Sequence, residues 1–164
     1  MFAKVYLEIT NVCNLSCSFC AGTSRTKHFL TREEFLFLAS QLRPYTEFLY
    51  FHLMGEPTAH PLLADFLDIA QSYGFRVILT TNGTRLPLVA NTLLNAPSLF
   101  KVSLSLHAFE ANRALDFDSY LNGCFDFADR ASEKGIITVF RLWNDGGKNS
   151  QNDEILTSLK ARFS

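Results

Sequence analysis

The sequence predicts an α/β fold in which a parallel sheet of about five strand–helix units is covered by helices. Three observations predict it. Strand-type segments alternate with helix-type segments along the 164 residues, as parallel sheets with crossover helices require. Every polar or glycine-rich motif falls just after a strand, where such sheets carry their active sites. Finally, Ser103, Ser105 and His107 alternate with Val102, Leu104 and Leu106. The apolar side should pack on helices and the serine side should face the inside of a curved sheet.

The elements follow in order. Lys4–Thr10 alternates and is partly β-branched, so it reads as a first strand. Thr31-Arg-Glu-Glu offers a capping box and opens a helix to about Leu42, which Pro44 ends. Glu47–Met54 is a second strand, cut by Gly55-Glu-Pro57. His60-Pro61 starts a second helix that runs to about Tyr73 and stops at Gly74. Phe75–Thr81 is a third strand, closed by Asn82-Gly83, and Leu86–Asn95 a weaker helix. Lys101–His107 is the fourth strand. Ser119–Lys134 is a helix stopped by Gly135, Ile136–Trp143 the fifth strand and Asn152–Phe163 the last helix.

The length suits one domain with a real core. The 16 phenylalanines spread over helices and strands and read as that core. No apolar run is long enough to span a membrane. The net charge of −1 gives no bulk positive field for nucleic acid. The chain opens Met1-Phe-Ala-Lys-Val-Tyr directly into a strand pattern without a secretory signal, so a cytoplasmic location is expected.

Cys13, Cys17 and Cys20 lie on the loop after the first strand. Three thiolates this close can take three corners of a cubane iron–sulfur cluster and leave one iron open to a substrate or cofactor. The alternative is zinc, which closes with four Cys or His ligands, commonly as two pairs. Here there is one triplet, which Cys124 or a histidine would have to complete. Four cysteines in a chain this long do not make a disulfide scaffold. Cys124 sits in a helical apolar pattern and reads as a small buried hydrophobe.

With Phe19 before the third cysteine, then Met54-Gly-Glu-Pro57, Thr80-Thr-Asn-Gly83 and Ser103-Leu-Ser-Leu-His107, the chain resembles the radical S-adenosylmethionine superfamily along almost its whole length. It is nearest in feel to maturases with a cysteine-rich C-terminal extension and to related molybdenum-cofactor enzymes. The resemblance implies a partial (β/α)6-type barrel, a 4Fe-4S cluster on Cys13, Cys17 and Cys20, and S-adenosyl-L-methionine on its open iron. One electron then cleaves the sulfonium to a 5′-deoxyadenosyl radical, which abstracts hydrogen from substrate. Phe19 would lie by the adenine. Gly55 and Glu56 would receive the methionyl amine, with Pro57 fixing the turn. Asn82, in the Thr-Asn-Gly motif, and Ser105 would contact the cofactor. Arg141 would pair with its carboxylate or form an ion pair, for instance with Glu8. His107, at the rim, is a candidate substrate contact, whereas His52 and His60 read as structural.

Partners implied are a one-electron reductant, flavodoxin or ferredoxin, and a bulky substrate, a peptide or protein. The alternatives are a radical RNA methyltransferase-like domain, a small activase-like enzyme and a non-catalytic cluster-binding fragment. Met54 replaces the first glycine of the usual Gly-Gly-Glu-Pro, as it does in the RNA methyltransferases. Residues 1–164 read as the core domain, without the sixth strand and the cysteine-rich extension. Either this is a truncated form or a minimal enzyme of five units.

Overall fold

In the computed structural model, which describes residues 2–107, 116–142 and 151–163, five strands pair in parallel in the order of the sequence. They are β1 (Val5–Tyr6), β2 (Phe48–Phe51), β3 (Arg76–Thr81), β4 (Leu99–Ser105) and β5 (Ile137–Arg141). Helices α1 (Arg32–Leu42), α2 (Leu63–Ser72), α3 (Leu86–Leu94) and α4 (Phe117–Glu133) make the crossovers, and α5 (Asn152–Phe163) follows β5. Sequential parallel order with one helix per crossover is the arrangement of an open, partial barrel.

One face of the sheet is dry. Leu49, Val77, Leu79, Val102 and Leu104 are fully buried there against Phe35, Phe66, Leu93 and Phe127 of the helices. Phe35 stacks on Phe66 at 4.2 Å and meets Phe51 edge-on. Each such side chain contributes roughly 1.5–3 kcal/mol by leaving water. Cys124 is in this core, as expected. The other face is polar and aromatic, with Tyr6 tilted on Tyr50 at 5.1 Å. The alternation on β4 holds: Val102, Leu104 and Leu106 are buried in the core, and the serines take the inner face.

Several boundaries move for local reasons. β1 is only two residues long because Thr10 turns away to bridge Phe29 in antiparallel sense. β2 ends at Phe51, where the His52 amide bonds back to Tyr50 and Leu53 adopts φ +139°. Such a backbone costs a branched residue about 1–3 kcal/mol. A 3₁₀ turn, Pro57–Ala59, precedes α2, which starts at Leu63 rather than at Pro61. α4 starts two residues early because Asp116 caps it, accepting the Ser119 amide at 2.8 Å. The capping box of α1 forms as predicted. Trp143 and Asn144, at the predicted end of the fifth strand, lie outside the described residues. Among those described, no helix is long and apolar enough to cross a membrane.

His60 explains the late start of α2. Its Nδ1 accepts the Leu62 amide at 3.0 Å and its Nε2 lies 3.1 Å from the Leu30 carbonyl. Both contacts are met by one neutral tautomer that donates from Nε2. Burial holds its pKa below the usual histidine value, with His28 adding to the effect against the Leu30 bond. The unfolded chain therefore binds the proton more readily, and stability is lost as pH falls below about 6.5. We expect thermal unfolding midpoints to drop between pH 7.5 and 5.5, and by less in His60→Asn, which keeps the acceptor but not the titration. An equal pH dependence in both proteins would refute this.

Candidate cluster-binding site

The cysteine loop is closed at its neck before any metal is considered. Thr10 and Asn11 on one side meet His28 and Leu30 on the other. The Leu30 amide bonds the Ile9 carbonyl at 2.9 Å, and the Thr10 hydroxyl bonds the His28 carbonyl at 2.8 Å. The Asn11 side chain spans the neck, donating to the Thr26 carbonyl and accepting from the His28 amide. A loop with joined ends holds its ligands at lower entropic cost than a free one.

The Gly-Glu-Pro turn presses against this neck. A Cβ on Gly55 would overlap the Thr10 carbonyl oxygen and come within 2.9 Å of the Asn11 carbon and the Val12 oxygen. The Glu56 amide donates to the Val12 carbonyl at 2.8 Å, one residue before Cys13. Glu8 ties the same parts from the other side: it accepts the Met54 amide and pairs with Arg25 at 2.8 Å. The ion pair considered for Arg141 with Glu8 is thus made by Arg25.

Glu56 is 2% exposed, and both its oxygens are occupied. One accepts from the Thr58 amide and the hydroxyls of Thr58 and Thr81, the other from the Asn82 amide. The carboxylate expected to receive the methionyl amine therefore joins the turn after β2 to the loop after β3. Asn82 continues the chain. Its side-chain amide donates to Asn14 at 3.0 Å, its oxygen accepts from Thr84, and its carbonyl accepts the Tyr120 hydroxyl. Pro57 is buried in the 3₁₀ turn.

The remaining residues line the rim. Phe19 meets His107 edge-on at 4.9 Å, and the His107 ring bonds the Arg141 backbone. Ser105 is in register with Arg141 on the inner face. Burial holds the pKa of His52 and of His107 down, and the Arg141 charge lowers both further. β2 and β5 are three strand spacings apart, about 14 Å along a flat sheet, so the curl of the sheet brings His52 and Arg141 within each other's field. Cysteine loop, Gly55, Asn82, Ser105 and Arg141 thus gather at one end of the parallel sheet. The Glu8–Arg25 pair, the neck and Tyr120 escaped sequence reasoning, because nothing local marks partners so far apart in the chain.

The three thiols lie on one loop, within one another's electrostatic reach. Burial raises the Cys17 pKa to about 11, with further rises from Cys13 and Cys20. Partial enclosure of its sulfur also raises that of Cys13, an exposed residue overall, and Glu56 and Cys20 add to the rise. Backbone amides already point at two sulfurs, Leu15 at Cys13 and Gly22 at Cys20, each at 3.4 Å. Among the described residues, no three His, Cys, Asp or Glu side chains close around a single ion. The donor set fits an iron–sulfur cluster: three thiols, mutually repulsive as thiolates, that cationic iron would neutralise, with N–H groups set to bond the sulfurs.

A GTP 3′,8-cyclase of Marinobacter nauticus is 29% identical over 164 residues, covering 94% of this chain and 48% of the cyclase. Mycofactocin maturase MftC of Mycobacterium tuberculosis is 30% identical over 128 residues, covering 76% of this chain and 32% of the maturase. The chain thus spans half or less of these relatives' length. Streptococcus suis SuiB, solved bound to its precursor peptide SuiA, has the same fold at a TM-score of 0.64 and 14% identity, over 97% of this chain and 46% of that one. Proteins of the superfamily they represent bind a 4Fe-4S cluster and S-adenosylmethionine. The family model of the Radical SAM superfamily matches residues 7–157, and the chain belongs to that superfamily.

Proposed function

We propose that this chain is the catalytic core of a radical S-adenosylmethionine enzyme that acts on a peptide or protein. The observation that carries the reading is the packing of the Gly-Glu-Pro turn against the neck of the loop that bears all three cysteines, at the end of the sheet where β3, β4 and β5 finish. Cys13, Cys17 and Cys20 hold the cluster. Gly55 and Pro57 shape the turn beside it that takes the methionyl amine, while Glu56 and Asn82 keep that turn and the β3 loop in place around the cofactor. Phe19 lies by the adenine, positioned by His107. Ser105 and Arg141 reach the cofactor from the inner face, with the guanidinium pairing its carboxylate. When bound, the reduced cluster supplies the electron that cleaves S-adenosylmethionine. Cys13 and Cys20 are exposed, which suits delivery of that electron by flavodoxin or ferredoxin. A cluster with an open iron also suits a reducing, cytoplasmic setting.

The peptide assignment draws on the maturase relative and on the peptide-bound SuiB fold. The test is anaerobic reconstitution with iron and sulfide, then measurement of 5′-deoxyadenosine with dithionite and S-adenosylmethionine. We expect a reducible brown chromophore and product formation. Alanine at Cys13, Cys17 or Cys20 should abolish both, whereas Cys124→Ala should keep the chromophore. Stoichiometric zinc without iron uptake would overturn the reading.

A further inference from the structure

We propose that the concave face of the sheet seats an extended acidic segment of the substrate peptide, with carboxylates on Arg76 and Lys101. This rests on the peptide reading above and names the chemistry it selects. The five strands contain three cations, Arg76, Lys101 and Arg141, and no carboxylate. The whole chain has a net charge of −1, so the charge is segregated by position. Glu8, just after β1, is already held by Arg25.

The register places these cations on the inner face. Phe48 pairs with Arg76, Ile78 with Lys101, and Ser105 with Arg141, while Val77 and Val102 face the core. The Arg76 guanidinium lies 3.8 Å from the centre of the Phe100 ring and 5.4 Å from that of Phe48. Stacking fixes the plane of a guanidinium while its in-plane N–H fork can still grip a carboxylate.

Spacing selects the ligand. Lys101 is one strand across and two residues up from Arg76, so their Cα atoms are about 8 Å apart at about 3.3 Å per residue and 4.8 Å between strands. Alternate side chains of an extended peptide stand about 7 Å apart on one face. From the level of Arg76 to the rim at Ser105 and Arg141 is six residues, about 20 Å. Six or seven residues of extended chain cover that path, whereas a lone carboxylate or phosphate fills one end of it. Tyr6, 46% exposed, and Ile137, 45% exposed, flank the path with apolar surface. It ends beside the cysteine loop, so a peptide lying on it brings its leading residue toward the reactive end.

The test uses fluorescein-labelled Gly-Glu-Ser-Glu-Ser-Glu-Gly and its Gln counterpart, with a Lys counterpart for the charge-reversal variant, titrated anaerobically into the reconstituted chain and followed by anisotropy. At low salt the acidic peptide should bind about tenfold tighter or more. The preference should vanish at high salt and in Arg76→Gln with Lys101→Gln. Lys101→Glu should shift the preference toward a Lys-bearing peptide, an outcome that loss of folding cannot produce. Equal affinity for the two peptides, an acid preference untouched by the substitutions, or binding of guanosine triphosphate in place of the acidic peptide would overturn the inference. Measuring 5′-deoxyadenosine in the same samples separates the two claims. Product formed equally with both peptides removes the acidic face and leaves the radical enzyme standing. Charge-selective binding without product does the reverse.

Discussion

Gly55→Ala should destabilise the chain by about 3 kcal/mol or more and sharply reduce the iron it retains after reconstitution. Two costs add. Gly55 has φ +76°, where a Cβ costs about 1 kcal/mol or more. The new methyl would also overlap the Thr10 carbonyl and crowd the Asn11 and Val12 backbone. These are main-chain atoms, so no rotamer change relieves the clash. The neck must shift, and with it the bond from the Glu56 amide to the Val12 carbonyl that sets the entry to Cys13. Gly135→Ala is the control: its φ is +72° but nothing lies within 4 Å of the new Cβ, so it carries the backbone cost alone. Denaturant unfolding and iron content of both variants decide the matter. Equal losses in the two would mean that the close approach at Gly55 has no energetic consequence.

Glu56→Gln should cost about 2–4 kcal/mol in the apo protein, before any cofactor is present. The Glu56 carboxylate accepts four hydrogen bonds while almost fully buried. A carboxamide has one acceptor oxygen, so its NH₂ must face either the Asn82 amide or the three donors around Thr58 and Thr81. At least one charge-assisted bond is lost and a buried donor left facing a donor. The measurement is urea unfolding of wild type and variant without iron. If Glu56 served only to hold the methionyl amine, the apo stabilities would match. A second readout follows from Asn82: loosening its amide should release the Asn14 contact and with it the cysteine loop, raising amide exchange in residues 12–27.

Much of this was legible in the chain because the signals are local. Alternation on β4, the capping box at Thr31 and the glycine stops at Gly74 and Gly135 all act within one turn or one strand. The three cysteines lie on one loop, so their spacing already says they can share a ligand. Where sequence reading slipped, a distant partner had won. His60 takes over the start of α2 from Pro61 because Leu30 anchors its ring from another loop. β1 is cut short because Thr10 finds Phe29.

By itself the sequence determined the order of elements, the parallel sheet and the placement of three thiols on one loop, since periodicity, caps and spacing are properties of neighbouring residues. Only the tertiary structure decided what the polar motif residues do. It turned the Glu56 carboxylate inward to bind the β3 loop, gave Glu8 to Arg25, and brought His52, just past the second strand, within the field of Arg141 in the fifth. The physical reason is burial. Once the sheet curls and the loops close, each polar group enclosed must find a partner, and that partner is whichever group the fold brings near, however far away it lies in the chain.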